Sequence, residues 1–483
     1  MNIKMIFNTL GRIAFAEAIL LLLPLTVCFI YGEATWVGFG ITAAISLVLG
    51  LLLCICFRTK NSAIYAKEGF AIVGLVWIVM SLIGALPFTI NNEIPHYVDA
   101  LFETVSGFTT TGASIMTDVE SMSHGGLIWR SFTHWIGGMG VLVLVTAISP
   151  GSSDRSNHIL KAEMPGPIFG KLVPRLRDTA KILYLIYIGL TLAEFVLLKI
   201  FGMDWFESLF HAFGTAGTGG FGMKGDGLAS YPPACQWIVA IFMLIFGVNF
   251  NLYFLILIRR FKAVVSSTEL KVYFALVAVS TLVISLNIFS FMASQGNSVG
   301  DTIRHSFFQV ASIVTTTGYS TIDYSQWPSL AKSIILVLTF VGGCAGSTAG
   351  GLKMSRAIIM FKMMGKELRR MLHPRSVSGV KFEGKRLDEI TTNNIGVYFS
   401  IYMVCILATF LLIGFEPFGI ESNLTAAITC FNNVGPGFGE VGPAGSYAAY
   451  SDFSKIVLSF SMLLGRLEVF PLLLSISPST WRK

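Results

Sequence analysis

The sequence predicts an all-α polytopic membrane protein with a four-fold internal repeat behind two extra N-terminal transmembrane helices. Three observations carry this. Of 483 residues, 54% are apolar and only 13% charged, where a water-soluble chain carries roughly 25% charged residues. Apolar runs of span length follow one another along the chain, with no hydrophilic block long enough for a soluble domain. Four loops on one side repeat the same glycine-containing stretch. An ordinary cytosolic enzyme and a disordered protein are both excluded. The seven cysteines form no CxxC pair, so neither a metal site nor a disulfide framework is expected.

A span needs about 20 mostly apolar residues. Ten are expected, at 13–31, 36–57, 69–90, 125–148, 182–202, 236–258, 272–293, 330–361, 394–414 and 454–477. The first is too long and too weakly flanked for a cleaved signal peptide. With the N-terminus inside, most of the 34 basic residues fall in the segments 1–12, 58–68, 149–181, 259–271, 353–393 and the C-terminal tail. That bias places both termini in the cytoplasm. The outer loops gather acids instead, among them Glu33, Glu93, Asp99, Asp204, Glu207, Asp301 and Glu421, which raises the local cation concentration. The net charge of +7 therefore reflects orientation in a lipid bilayer, and no nucleic-acid partner is expected.

The four outer stretches read LFETVSGFTTTGAS (101–114), SLFHAFGTAGTGGF (208–221), SFFQVASIVTTTGYS (306–320) and TAAITCFNNVGPGFG (425–439). Each is an amphipathic run of about ten residues followed by a small, polar turn. Ten helical residues span only about 15 Å, half the hydrocarbon thickness, so the run must turn back inside protein or along a water-filled cavity. The repeated unit is outer helix, short re-entrant helix, glycine turn, inner helix. All four units run in one orientation and can close around an axis along the membrane normal. The chain divides into two N-terminal helices (1–68) and repeats over 69–180, 181–267, 268–392 and 393–483.

The turns align on Thr111-Gly112, Thr218-Gly219, Thr317-Gly318 and Val434-Gly435. A dehydrated cation needs oxygen ligands in place of water, and a ring of backbone carbonyls supplies them without a fixed charge. Glycine reaches the backbone angles that aim consecutive carbonyls inward. The expected filter is Thr110, Thr111, Gly112, Thr218, Gly219, Thr316, Thr317, Gly318, Asn433, Val434 and Gly435, with potassium as the ion held there. The short helices add a favourable term if their partially negative C-terminal ends face the ion.

On these residues the sequence resembles the Trk/Ktr/HKT superfamily of potassium transporters and channels, in particular its TrkH subfamily. The resemblance covers essentially the whole chain. It is carried by TTTGAS (109–114), GTGGFG (217–222), TTTGYS (315–320), NNVGPGFG (432–439), GGCAGSTAGGLK (342–353), LHPRSV (372–377) and GRLEVFPLL (465–473). The two extra N-terminal spans favour a TrkH-like over a KtrB-like member. The resemblance implies selective potassium uptake through a pseudo-four-fold pore, with filter glycines at 112, 219, 318 and 435. Some relatives carry Ser at the first position and pass sodium more readily, whereas this chain has glycine at all four. One matching glycine per turn implies weaker selection than the longer TVGYG of potassium channels. Repeat four departs most, with Val434 and Pro436, leaving its carbonyls as its contribution.

The eighth span is interrupted by Gly342, Gly343, Gly346, Gly350 and Gly351, with Ser347 and Thr348 among them. Five glycines cost roughly 1 kcal/mol each in a helix. Close helix packing is one reading. A phosphate loop fails, because GK[ST] is absent and no strand precedes. The resemblance implies an intramembrane gate loop beneath the filter. Lys353 is either at the cytoplasmic mouth or an ordinary boundary lysine. Arg466, halfway along the last span, is costly there and must face a cavity or partner. It is either a buried ion-pair member or, as the resemblance implies, a barrier at the gate loop; Glu468 is too close in sequence to face it.

Glu17 and Glu194 are expected to be hydrogen-bonded structural acids. Glu103 either biases the outer vestibule or braces its helix. His134 and His211 have no ligand partners at metal spacing. The basic stretch Lys362, Lys366, Arg369, Arg370, Arg375, Lys381, Lys385 and Arg386 reads as a solvated cytoplasmic loop. The resemblance adds a cytosolic nucleotide-binding regulatory subunit of TrkA type on that face, homodimers of complete pores, and a bacterial inner (plasma) membrane location. No covalently bound cofactor is expected. A symporter coupled to sodium or protons is the alternative, although parallel repeats with turns near the outer surface favour a pore over inverted repeats with midplane sites. An enzyme is not expected, since no paired carboxylates, HExxH or GxSxG stand at a plausible depth.

Overall fold

The computed structural model describes residues 2–58, 66–140, 176–375 and 379–481. Their regular structure is helical apart from one two-stranded hairpin, Lys381–Phe382 with Lys385–Arg386. The hairpin turns at Glu383 and Gly384, both at positive φ, as a two-residue turn requires. It lies within the basic stretch read as loop.

Among the described residues six helices are long and apolar enough to cross a membrane: Ile3–Tyr31, Trp36–Cys56, Lys67–Ile90, Ala180–Ile200, Thr268–Ser294 and Glu389–Leu412. The first begins well before residue 13, because Ile6, Leu10 and Ile13 share one helix face and are buried, and Asn2 caps the Met5 N–H. It crosses the second where Gly11 and Gly50 meet, each so close that a β-carbon would stand only 2.9 and 2.8 Å from the other's carbonyl oxygen. Small residues permit such close crossings in lipid. Val279, Leu282 and Leu286 on the fifth helix are exposed, an arrangement suited to lipid contact.

The expected inner spans are not single helices. Their outer halves, His124–Gly138, Pro233–Phe246, Ser329–Val341 and Asp452–Arg466, have 15, 14, 13 and 15 residues. At 1.5 Å per residue each covers about 20 Å, short of the roughly 30 Å core. The second bends by 90° before Phe250–Leu257. The third gives way to loop 342–353 and then Met354–Leu372. The fourth breaks at Glu468 and Val469, both at positive φ, before Phe470–Ile476. The first reaches Gly140 at positive φ; residues 141–148 of its expected span lie outside the described residues, as do most of basic segment 149–181, positions 59–65 of segment 58–68, the end of LHPRSV at 376–377, and Arg482 and Lys483 of the tail.

The four short re-entrant helices are Tyr97–Phe108, Trp205–Gly217, Val299–Val314 and Ile420–Phe431. Each carries an acid in its first turn, Asp99, Glu207, Asp301 and Glu421, which complements the positive end of the helix dipole. Asp204–Glu207 and Ser298–Asp301 form capping boxes. Their C-terminal halves are buried, and their axes deliver four turns to the interior.

Candidate functional site

All four re-entrant helices end in one way. The N–H of Thr110, Thr218, Thr316 and Asn433 donates to the carbonyl three residues back, at 3.0, 2.9, 3.0 and 3.3 Å. The next N–H, of Thr111, Gly219, Thr317 and Val434, reaches five back, at 2.8, 2.9, 2.8 and 2.9 Å. This is the double bond of a Schellman cap, whose left-handed position normally holds glycine. Here Thr110, Thr218, Thr316 and Asn433 occupy it, at φ 55, 56, 55 and 56. A second left-handed residue follows two places on: Gly112, Gly220, Gly318 and Gly435, at φ 78, 78, 87 and 90.

The second repeat is thus displaced by one residue from the expected alignment. Gly220, not Gly219, is the counterpart of Gly112, Gly318 and Gly435; Gly219 corresponds to Thr111, Thr317 and Val434. The run Thr218-Gly219-Gly220 offers two glycines after its threonine, and the cap bonds decide between them.

The four turns meet. A β-carbon on Gly112 would overlap the carbonyl oxygen of Gly219, one on Gly220 that of Thr317, one on Gly318 that of Val434, and one on Gly435 would crowd that of Thr111. Each repeat's glycine abuts the carbonyl of the next, and the fourth closes on the first. Four carbonyl oxygens from four repeats therefore gather in one closed ring around a shared axis.

Side chains behind the ring fix it. The hydroxyls of Thr109 and Thr111, and those of Thr315 and Thr317, are 2.8 Å apart. Asn433 Nδ2 donates to Thr111 Oγ1 at 3.0 Å and to the Met462 carbonyl at 2.9 Å, tying the first repeat to the fourth. In repeat four the Gly435 carbonyl accepts from Tyr447 Oη at 2.8 Å, so it is committed to a protein donor, and Val434 supplies that repeat's ring oxygen. Outside the ring a vestibule with about 210 Å³ of room is lined by Gly112, Gly220, Gly318 and Gly435 together with Arg130 and Tyr447. Arg130 is buried against Glu103 at 2.7 Å, and Glu103 also accepts from Ser114 and the Ile115 N–H. Glu103 is a brace for the chain leaving the first turn.

Inside the ring a smaller cavity of about 60 Å³ is lined by loop 342–353, Gly465, Arg466 and Glu468. Gly342, Gly346, Gly351 and Lys353 have positive φ, so the loop is an ordered non-helical path. Its backbone is satisfied by protein, as its depth demands. Cys344 N–H donates to the Gly247 carbonyl at 2.9 Å, Met354 N–H to that of Gly343 at 2.9 Å, and the Gly346 carbonyl accepts from Phe250 N–H at 3.0 Å. Gly350 N–H donates to Thr316 Oγ1 at 2.6 Å, directly against the ring. Lys353 Nζ turns back onto the Ala349 carbonyl. Arg466 donates to the Thr348 carbonyl at 2.8 Å and to those of Gly137 and Gly138 at the end of the first inner helix. Gly343 packs against Ala349 and the Gly247 carbonyl, and Ser347 Oγ bonds within the loop.

A family model described as TrkH, cation transport protein, matches residues 38–483. The chain belongs to the TrkH family. It is 36% identical to the Trk system potassium uptake protein TrkH of Escherichia coli (strain K12), covering all of both chains, and 31% identical to TrkG of the same organism, covering 100% of this chain and 99% of that one. The crystal structure of the potassium transporter TrkH from Vibrio parahaemolyticus superposes with a TM-score of 0.89 at 31% identity, over 100% of each chain. The TrkH family is one of transport proteins and not of enzymes, and this member is a multi-pass, all-α membrane protein.

Several partners were not legible in the sequence. Glu468 pairs with Arg356, whose guanidinium lies 4.2 Å from the Tyr398 ring centroid; the two residues are 112 apart. Arg130 and Glu269 also escaped notice, because their partners Glu103 and Ala345 lie 27 and 76 residues away on other elements. Only the hydrophobic setting of a lone charge marks such residues. Glu17 departs from expectation: it is fully buried against Gly84, and neither carboxylate oxygen has a hydrogen-bond partner among the described residues. Glu194 departs in the same way: it is fully buried, and neither its carboxylate oxygens nor the Thr215 hydroxyl has a hydrogen-bond partner among the described residues. His134 and His211 hold backbone carbonyls through Nδ1, of Gly107 and Glu207, both at 2.8 Å.

Proposed function

We propose that this chain mediates potassium uptake across the cell membrane through a selective, gated, channel-like pore. The closed ring of four carbonyl-bearing turns between two cavities, each roomy enough for water, carries the reading. Such oxygens replace the hydration shell of an alkali cation and still let it leave. The ends of four helices, partially negative, face the same ring. The filter comprises Thr110–Gly112, Thr218–Gly220, Thr316–Gly318 and Asn433–Gly435, with Gly220 taking the place assigned above to Gly219. Loop 342–353 and Arg466 form the gate, because they occupy the path immediately inside the ring. The membrane potential, about 2.3 kcal/mol per charge per 100 mV, drives entry. Potassium uptake is also what the relatives are named for.

Homodimers, a nucleotide-binding regulator of TrkA type on the cytoplasmic face, termini in the cytoplasm and a bacterial inner-membrane location belong to the same proposal. The test is flux into liposomes with potassium, rubidium, sodium and lithium. Potassium and rubidium flux that persists without sodium or pH gradients is expected. Flux that vanishes when those gradients are removed would establish a coupled symporter instead.

A further inference from the structure

We infer that Glu269 is a positioning residue that holds loop 342–353 from the cytoplasmic side, and that Glu383 of the hairpin fixes Glu269 in place. The inference rests on reading that loop as the gate, and adds to it the point from which the loop is held. Glu269 stands in the first turn of the long helix Thr268–Ser294 and is only 6% exposed. Its Oε1 accepts the Ala345 N–H at 2.8 Å. The N–H of Ser355, just beyond the loop's other end, faces the same carboxylate. One side chain thus addresses both ends of the loop, whose ends are also joined by the Met354 N–H on the Gly343 carbonyl at 2.9 Å.

Glu269 is itself held. Glu383 sits at the tip of the hairpin, with φ 45. Its Oε1 accepts from Ser267 Oγ and from the Glu269 N–H, both at 3.0 Å. A carboxylate from another element here caps a helix N-terminus, where unpaired N–H groups and the dipole favour it. The hairpin is anchored in turn to Met354–Leu372, through Lys362 Nζ on the Lys381 carbonyl at 2.9 Å. A continuous series of hydrogen bonds therefore runs from an exposed cytoplasmic hairpin, through Glu383 and the first turn of one helix, to Ala345. Whatever displaces the hairpin displaces the support of the loop.

The test uses the full chain in liposomes with Cys28, Cys54, Cys56, Cys235, Cys405 and Cys430 replaced by serine. Cys344, beside Ala345 and fully buried, then reports the loop by its rate of maleimide labelling. Glu269→Ala should raise that rate about tenfold, the change expected for losing one buried hydrogen bond. Glu269→Gln, which keeps an acceptor oxygen, should stay near the parent. Glu383→Ala should raise the rate less, and adding it to Glu269→Ala should give no further rise, as for residues acting in series. Potassium flux should increase in the same order, with the ranking of cations unchanged. Parent-like labelling in both alanine variants, or Glu269→Gln labelling as fast as Glu269→Ala, would overturn the inference. If Glu269→Ala fails to fold, Glu383→Ala decides alone, since it removes no contact of the loop itself. Faster labelling with unchanged flux would uphold the tie and overturn the gate reading.

Discussion

Three threonines and an asparagine occupy left-handed cap positions that helices ordinarily give to glycine. A β-branched residue there is a genuine outlier, costing of order 1–3 kcal/mol. At two of the four the side chain gives a reason for it: Thr316 accepts from Gly350 and Asn433 binds Thr111, contacts that glycine would forfeit. Two places on the logic reverses, and glycine is needed both for its φ and for the neighbouring carbonyl. Gly112→Ser and Gly220→Ser should each displace a ring oxygen. Both should lower the preference for potassium over sodium by about tenfold, equivalent to ~1.4 kcal/mol. A four-cation liposome flux series checks this, and an unchanged ranking in either variant would count against the ring as the filter. Gly220 separates the structural assignment from the sequence alignment, which pointed one residue earlier.

At the level of elements, the re-entrant helices and their turns were legible because the local signal is strong: an amphipathic run, then a polar, glycine-containing stop, four times. Of the broken inner spans only the third was, from its five glycines; the second and fourth were not. Leu467-Glu468-Val469 contains neither glycine nor proline, and its left-handed backbone is imposed by what surrounds it. Arg130, the partner of Glu103, was missed for the same reason, the two being brought together from two helices. Removing one member of such a buried pair costs about 3–5 kcal/mol. Arg130→Ala should therefore lower thermal stability markedly in detergent, measured by unfolding, whereas Arg370→Ala, exposed like its partner Glu367, should change it little.

The helix His124–Gly138 is capped from the N-terminal hairpin. Burial pushes the Glu33 carboxyl up, but hydrogen bonds from the His124 backbone and ring and the Gly125 N–H outweigh it and hold it below the usual carboxylate range. A depressed carboxylate contributes stability above its unfolded pKa, about 4.3, and loses it as pH falls through the folded value. The stability difference between the parent and Glu33→Gln should accordingly be constant near neutrality and shrink below about pH 4. Thermal unfolding at a series of pH values reads this directly.

Over the whole molecule, Arg466 joins three repeats: it stands on the fourth, binds Thr348 in the third and holds Gly137 and Gly138 of the first. Its approach to the glycine loop was foreseen from resemblance; its grip on the first repeat was not, since nothing local links positions more than three hundred apart. Arg466→Ala should raise potassium flux and Arg466→Lys less so, because a lysine cannot reach three carbonyls in a fixed fork. Equal flux in parent and alanine proteins of matched folding would remove Arg466 from the gate.

The seam between Gly435 and Thr111 has a consequence for biosynthesis. The ring closes only once the last of the four segments has folded back to the first. A ribosome still working on residue 400 has supplied three of its four sides. On the pore reading proposed above, an unfinished copy lacks the fourth wall of the path an ion would take.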